Sequence, residues 1–122
     1  MCGICGFSGP ASGRSDAEAV LTSMCRSILH RGPDDEGTFV AAGIGLGARR
    51  LSILDVQGGH QPLAGEDGTT WAAHNGEIYN FLELRQGLEK RGHRFKSRSD
   101  SEVVLHLYEE HGVDFLDHLR GM

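Results

Sequence analysis

The order of apolar and polar positions predicts short strands that alternate with single helices along the chain. Residues 3–7 are small and apolar and predict a first strand. Two further apolar runs, 38–42 and 44–48, predict a pair of strands that turns at Gly43. The remaining predicted strands are 51–54, 70–74 and 77–79.

Helices are predicted where apolar residues recur at helical spacing behind a polar capping residue. The first begins at a capping box formed by Ser15 and Glu18 and stops at Gly32. The other predicted helices run from Asn80 to Gly92, from a capping box of Ser99 and Glu102 to Gly112, and from Asp114 to Leu119. Because strands come in adjacent pairs and helices come singly between them, the pattern favours an α+β layered fold.

Composition and charge narrow the class of protein. The 122 residues suffice for one domain, and 18 glycines, about twice the usual share, indicate tight turns or close backbone approaches. A net charge of −5 without a basic run argues against nucleic-acid binding. The longest weakly apolar run, 40–48, is short and broken by glycines, so no membrane span is expected. The N-terminus lacks a signal-peptide pattern, and three cysteines suggest free thiols in a reducing cytoplasm.

Cys2 is a candidate nucleophile because loss of Met1 would make it the N-terminal residue. Its α-amino group would then titrate at about 7.7–8.0 and could accept the thiol proton. The alternative is a small strand residue without chemistry. Cys2 and Cys5 also fit a redox or half-zinc spacing, but no second pair of ligands follows. Cys25 lies on the apolar face of the first helix, where core packing is expected.

Four other positions allow two interpretations each. Asn75-Gly76 is typical of a hairpin turn, but it also offers a side-chain amide beside an unhindered backbone N–H, as an oxyanion hole requires. Arg50 either extends its charge into solvent or binds a carboxylate through two hydrogen bonds. Asp100 either caps a helix or pairs with a substrate ammonium group.

The seven histidines show no spacing typical of a metal site. His106 and His111 are expected on opposite sides of one helix. We therefore interpret the histidines as scattered surface or structural residues and expect no metal in this domain.

Six stretches follow one another in a recognisable order. They are MCGICGF at 1–7, HRGPDDEG at 30–37, ARRLSILDVQGGHQPL at 48–63, NGEIYN at 75–80, SDSEVVLHLYEEHG at 99–112 and FLDHLRGM at 115–122. Together they resemble the N-terminal glutaminase domain of glutamine-dependent asparagine synthetases, a class II (N-terminal nucleophile) glutamine amidotransferase. The start is shared by class II amidotransferases in general, whereas the third and fourth stretches resemble the asparagine-synthetase branch.

The resemblance implies a role for each candidate residue. Cys2, exposed by loss of Met1, would be the nucleophile and its α-amino group the base, while Asn75 and Gly76 would form the oxyanion hole. The residues implied to bind glutamine are Arg50 for the α-carboxylate, Asp100 for the α-ammonium group, and Leu51, Ile53 and Glu77 for the rest of the pocket.

The resemblance also implies an α+β Ntn-hydrolase type layered αββα fold, of which this sequence would hold an incomplete part. Residues 1–122 correspond to the N-terminal part of the amidotransferase domain, and a synthetase domain that uses Mg-ATP would follow outside this sequence. The implied partners are L-glutamine and that covalently linked synthetase domain, and a homodimer is left open. No cofactor is expected within the domain itself.

The implied reaction is release of ammonia from L-glutamine through a Cys2 thioester, for ATP-dependent amidation of aspartate. Two alternatives are left open. The domain could serve another acceptor, peptide or polysaccharide-linked, or it could be a non-catalytic amidotransferase-like domain that binds glutamine or a partner. A thiol redox or zinc module built on Cys2 and Cys5 is a third hypothesis.

Overall fold

The computed structural model describes residues 2–9, 16–41, 43–52 and 58–122. Helices and strands are mixed, in agreement with the predicted α+β class. The chain divides into two compact units, which are described one after the other. The first comprises Met1–Ser52, His60–Pro62 and Ala73–Asn75, and the second comprises Ile53–Gly59, Leu63–Ala72 and Gly76–Met122.

The first unit contains a three-stranded antiparallel sheet and one helix. Its elements are β1 (Gly3–Ser8), α1 (Ala17–Ser27), a 3₁₀ turn (Leu29–Arg31), β2 (Asp35–Ala41) and β3 (Ile44–Arg50). The strands lie in the order β1-β3-β2, so β3 is central. Gly3 pairs with Arg49 across β1 and β3, and Asp35 pairs with Arg50 across β2 and β3. The start of β1, the end of β3 and the start of β2 therefore meet at one end of the sheet.

Helix α1 packs closely on one face of this sheet because β3 carries glycines there. A Cβ at Gly47 would come within 2.6 Å of Cys25 Sγ and 2.8 Å of Cys5 Sγ, so a side chain at this position would push the helix away. Leu21 and Cys25 of α1 are fully buried against the sheet. The predicted packing role of Cys25 is confirmed.

The predicted strands 3–7, 38–42 and 44–48 are confirmed, and the observed strands are longer than the apolar runs that predicted them. Gly43, with φ of 78°, turns β2 into β3 as expected. Leu51 and Ser52 lie outside any strand, contrary to the prediction, while residues 53–54 lie outside the described residues. Ser15 of the first capping box also lies outside them, and α1 begins after Asp16 without a side-chain cap.

The second unit packs two helices around a small apolar core. Its elements are β4 (Leu63–Ala64), β5 (Trp71–Ala72), α2 (Phe81–Lys90), α3 (Glu102–His111) and a 3₁₀ helix (Gly112–His118). β4 and β5 pair antiparallel. The core is formed by Ile78, Leu88, Val103 and Leu107. Gly92 and Gly112, with φ of 106° and 57°, follow α2 and α3 at the predicted ends.

The predicted hairpin at residues 75–76 is wrong. Glu77 exchanges two backbone hydrogen bonds of 2.9 Å with Met122, and Tyr79 donates to the Arg120 carbonyl at 2.7 Å. Residues 77–79 thus pair with a segment some forty positions later rather than with the strand before them. Gly121 permits this pairing, because a Cβ there would collide with the Glu77 carbonyl.

Two predicted helix caps in the second unit are also wrong. The Asn80 side chain donates to the His118 carbonyl and accepts from the Arg120 amide. It therefore binds residues 118–120 and does not cap α2. The Glu102 carboxylate accepts from the amides of Lys96 and Ser97, so no capping box forms with Ser99. Among the described residues, no helix combines the length and hydropathy needed to cross a membrane.

Candidate active site

The predicted nucleophile lies at the end of the sheet in the first unit. Extending the register by one residue places Cys2 opposite Arg50, because Gly3 pairs with Arg49. Paired residues of antiparallel strands share a face, so Cys2 and Arg50 are expected on the face away from α1. The half-buried Cys2 thiol donates to the Leu51 carbonyl at 3.8 Å. We call Cys2, Arg50 and Leu51 the sheet-end group.

The two adjacent arginines at the end of β3 have different surroundings. Arg49 donates through Nε to the Gly32 carbonyl at 2.8 Å and through a terminal nitrogen to Glu36 at 2.6 Å. Arg50 points to the opposite face and is only 6% exposed, so the interpretation of a charge extended into solvent is wrong. A buried guanidinium at the sheet end is suited to binding a carboxylate.

The three cysteines differ in surroundings. Cys5 Sγ lies 3.6 Å from Cys25 Sγ, beneath α1, and none of the three cysteines forms a disulfide. Burial, followed by the hydrogen bond with Cys5, raises the pKa of Cys25 to about 12. Cys25 is therefore a core thiol with little thiolate at neutral pH. Cys5 contacts Cys25, and Cys2 contacts Leu51, so the redox or zinc interpretation of Cys2 and Cys5 gains no support.

Asn75 is held in the first unit by a tether that the sequence did not reveal. A Cβ at Gly37 would collide with the Gln61 carbonyl, so the absence of a side chain lets the 60–61 loop lie against β2. The buried Gln61 side chain then accepts from the His74 amide at 2.7 Å. This bond fixes the backbone next to Asn75, whose side chain is exposed.

In the second unit, Asp100 is joined to the segment that follows Gly76. Its Oδ2 atom accepts from the Ile78 amide at 2.8 Å, and its Oδ1 atom faces the hydroxyls of Ser99 and Ser101 at 3.4 Å. Asp100 is buried and makes no cap for α3, so the capping interpretation is wrong. Its carboxylate is instead held by a hydrogen bond from the amide of Ile78, which lies two residues after Gly76.

The predicted site residues are thus divided between the units. Cys2, Arg50, Leu51 and Asn75 belong to the first unit, and Gly76, Glu77 and Asp100 belong to the second. Glu77 is half-buried, and its backbone is used in the pairing with Met122. Ile53 lies outside the described residues.

The interpretation of the histidines as scattered is wrong for four of them, which lie in two pairs. His93 and His106 lie together, with ring centroids 4.8 Å apart, beside Glu66 and Glu109. His111 instead stacks on His118, so the expected separation of His106 and His111 is confirmed. Spacing could not reveal the first group because its members come from three separate segments.

Comparisons with known proteins identify the family of the chain. A family model described as a glutamine amidotransferase domain matches residues 1–122. The chain therefore belongs to the glutamine amidotransferase domain family. It is 45% identical, over 98% of its length, to glutamine-hydrolyzing asparagine synthetase 1 of Bacillus subtilis. It is 42% identical, over its whole length, to glutamine-hydrolyzing asparagine synthetase 1 of Arabidopsis thaliana. The chain covers 20% of each of these two relatives and corresponds to their N-terminal part.

Proposed function

We propose that this domain hydrolyses L-glutamine to L-glutamate and ammonia through a γ-glutamyl thioester on Cys2. The observation that supports this most directly is the placement of Cys2 beside Arg50 at the sheet end, in a chain of the glutamine amidotransferase family. A thiol and a guanidinium on one face of the sheet end suit the two ends of a glutamine molecule, one reacting and one anchored.

The proposed chemistry requires Cys2 to be the first residue of the mature chain. Its α-amino group takes the thiol proton, and Sγ attacks the side-chain amide carbon of glutamine. Asn75 and the Gly76 N–H then stabilise the oxyanion. The C–N bond breaks, the nitrogen leaves as ammonia with the transferred proton, and water hydrolyses the thioester to restore the thiol. This sequence of steps needs no metal or cofactor.

The proposed substrate contacts use the two buried charges of the candidate site. Arg50 binds the α-carboxylate of glutamine, and Asp100 binds its α-ammonium group through carboxylate lone pairs that the Ile78 amide leaves available. Leu51, Ile53 and Glu77 complete the pocket. Burial of Arg50 and Asp100, each 5–6% exposed, would strengthen both ionic contacts.

In the full protein, we propose that the ammonia amidates aspartate in a linked synthetase domain that uses Mg-ATP. The names of the relatives support aspartate as the acceptor over a peptide or polysaccharide-linked one. We further propose the layered Ntn-hydrolase arrangement and a cytoplasmic location, for which family membership is the support. Light scattering of the purified protein tests for a homodimer.

Covalent labelling tests the proposed chemistry directly. A diazo-ketone analogue of glutamine should add once to the Cys2 thiol, and intact mass should show that Met1 is removed. Cys5→Ala is the matched thiol control and should label as the parent does, whereas Cys2→Ala should take no adduct. Full retention of Met1, or labelling that survives Cys2→Ala, would overturn the mechanism. Glutamine binding without any adduct would instead identify a binding-only domain.

A further inference from the structure

Four side chains from three segments converge within the second unit, and none of them belongs to a residue assigned to glutamine. Glu66 lies in the turn after β4, His93 follows α2, and His106 and Glu109 lie one turn apart on α3. One nitrogen or oxygen from each of the four lies within 4.8 Å of the others. We call these four residues the His–Glu cluster.

The spacing of the His–Glu cluster matches the ligands of a small metal ion. His93 Nδ1 lies 3.2 Å from Glu66 Oε1 and 3.4 Å from Glu109 Oε2. His106 Nδ1 lies 3.5 Å and 3.1 Å from the same two oxygens. In a tetrahedral zinc site with bonds of about 2.0–2.2 Å, neighbouring ligand atoms lie about 3.3–3.6 Å apart. Four of the six distances between ligand atoms thus lie close to the tetrahedral values, and all six lie within 4.8 Å.

The other nitrogen of each histidine faces a second carboxylate. His93 Nε2 lies 3.1 Å from Glu110 Oε1. His106 Nε2 is buried without a hydrogen-bond partner, and the nearest carboxylate oxygen, Glu102 Oε1, is 3.8 Å away. Histidines that bind metals through one nitrogen usually donate the other N–H to a carboxylate, which fixes the ring. His93 has this arrangement. Metal on Nδ1 of His106 would place its proton on Nε2, facing Glu102.

The charges around the cluster favour a dication. Four carboxylates, those of Glu66, Glu102, Glu109 and Glu110, surround two imidazoles, and Arg91 pairs with Glu110 at 2.6 Å. With both imidazoles neutral, negative charge exceeds positive charge at this place. A divalent ion would offset that charge without requiring both histidines to be protonated.

We propose that the His–Glu cluster binds one divalent transition-metal ion of the zinc class in a tetrahedral N₂O₂ site. Imidazole nitrogens suit zinc, cobalt or nickel better than magnesium or calcium, which prefer oxygen ligands. Because all four positions are filled by protein, the ion has a structural role. It joins the β4–β5 turn, the end of α2 and helix α3, and it takes no part in glutamine hydrolysis. The inference therefore stands independently of the proposed function.

Metal titration of the untagged, chelator-treated protein tests the proposal. Calorimetry with Zn²⁺ should show one saturable site per chain, and Mg²⁺ should show none. Co²⁺ should give the strong visible absorption of tetrahedral coordination, which added Zn²⁺ removes. Zn²⁺ should also raise the melting temperature. Absence of saturable Zn²⁺ binding would overturn the proposal and leave the cluster as a network of ion pairs.

Substitutions in the cluster that preserve the volume of the side chains test whether Zn²⁺ binds there. Glu66→Gln and His93→Gln should each weaken Zn²⁺ binding, and Glu102→Gln should weaken it by about 10–100-fold through the His106 ring. His118→Ala is the matched control, since His118 is exposed and stacks on His111 outside the cluster. Circular dichroism should show that each variant is folded. If Glu66→Gln and His93→Gln both fold and bind Zn²⁺ as tightly as the parent protein does, the assignment is overturned.

Discussion

The sheet-end group and the His–Glu cluster place polar side chains in opposite ways. At the sheet end, strand register positions Cys2 and Arg50, and the Cys2 thiol makes a long 3.8 Å contact with Leu51. In the cluster, four contacts of 3.1–3.5 Å join the side chains directly to one another. A reactive group must remain available to a substrate, whereas a ligand cluster gains from mutual contact.

This contrast predicts different responses to substitution. Removing the Cys2 side chain should reduce activity with little loss of stability, because the backbone holds the position. Removing one from the cluster should disturb its neighbours, because the side chains hold one another.

Cys2→Ala should lower glutaminase activity by at least about 10³-fold, because the nucleophile is lost. The free energy of unfolding in urea should change by less than about 1 kcal/mol, since the Cys2 side chain is only half-buried. Ammonia release and urea titration measure the two effects. Cys5→Ala should retain activity. A large loss of stability in Cys2→Ala would contradict the view that backbone register positions this group.

Cys25 should resist alkylation in the folded protein. A pKa of about 12, against 9.0 for an ordinary thiol, leaves about 10³-fold less thiolate at pH 8. Timed reaction with iodoacetamide, followed by peptide mass spectrometry, should find Cys2 modified well before Cys25. In denaturant all three cysteines should react at similar rates. Rapid native labelling of Cys25 would show that α1 does not shield it.

Arg50→Lys should raise the KM for glutamine by about 10–100-fold, because lysine cannot bind a carboxylate through two parallel hydrogen bonds. Arg49→Lys is the matched comparison. It should lower stability instead, because Arg49 bonds Gly32 and Glu36 rather than substrate. Steady-state kinetics and thermal unfolding separate the two outcomes. A KM unaffected by Arg50→Lys would remove Arg50 from the proposed pocket.

Gly37→Ala should destabilise the protein by about 1–3 kcal/mol, because the added Cβ collides with the Gln61 backbone. It should also lower kcat, since Gln61 holds the His74 amide next to Asn75. Gly9→Ala is the control, because a Cβ there meets nothing within 4 Å. Equal stability of the two variants in urea would contradict the proposed tether.

The sequence predicted those features that depend on neighbouring residues. Apolar runs and Gly43 were enough to predict β2 and β3, and helical spacing was enough to predict α1 and the burial of Cys25. Motif order led to the family and hence to Cys2, Arg50 and Asp100 as hypotheses.

Features that depend on distant partners were missed. Asn75-Gly76 satisfies the local rule for a hairpin, but residues 77–79 form backbone hydrogen bonds with residues 120–122. Glu102 satisfies the rule for a capping box, but its carboxylate accepts hydrogen bonds from the amides of Lys96 and Ser97. The His–Glu cluster draws on three separated segments, so no ligand spacing marks it.

The pairing between residues 77–79 and 120–122 has a consequence for the order of events during biosynthesis. A ribosome makes Gly76 about forty residues before Arg120, so the segment beside Gly76 cannot gain these bonds while the intervening chain is being made. Domains form from the N-terminus as the chain emerges. The sheet that carries Cys2 can therefore assemble first, and the second half of the proposed oxyanion hole becomes ordered only after residues 120–122 leave the exit tunnel.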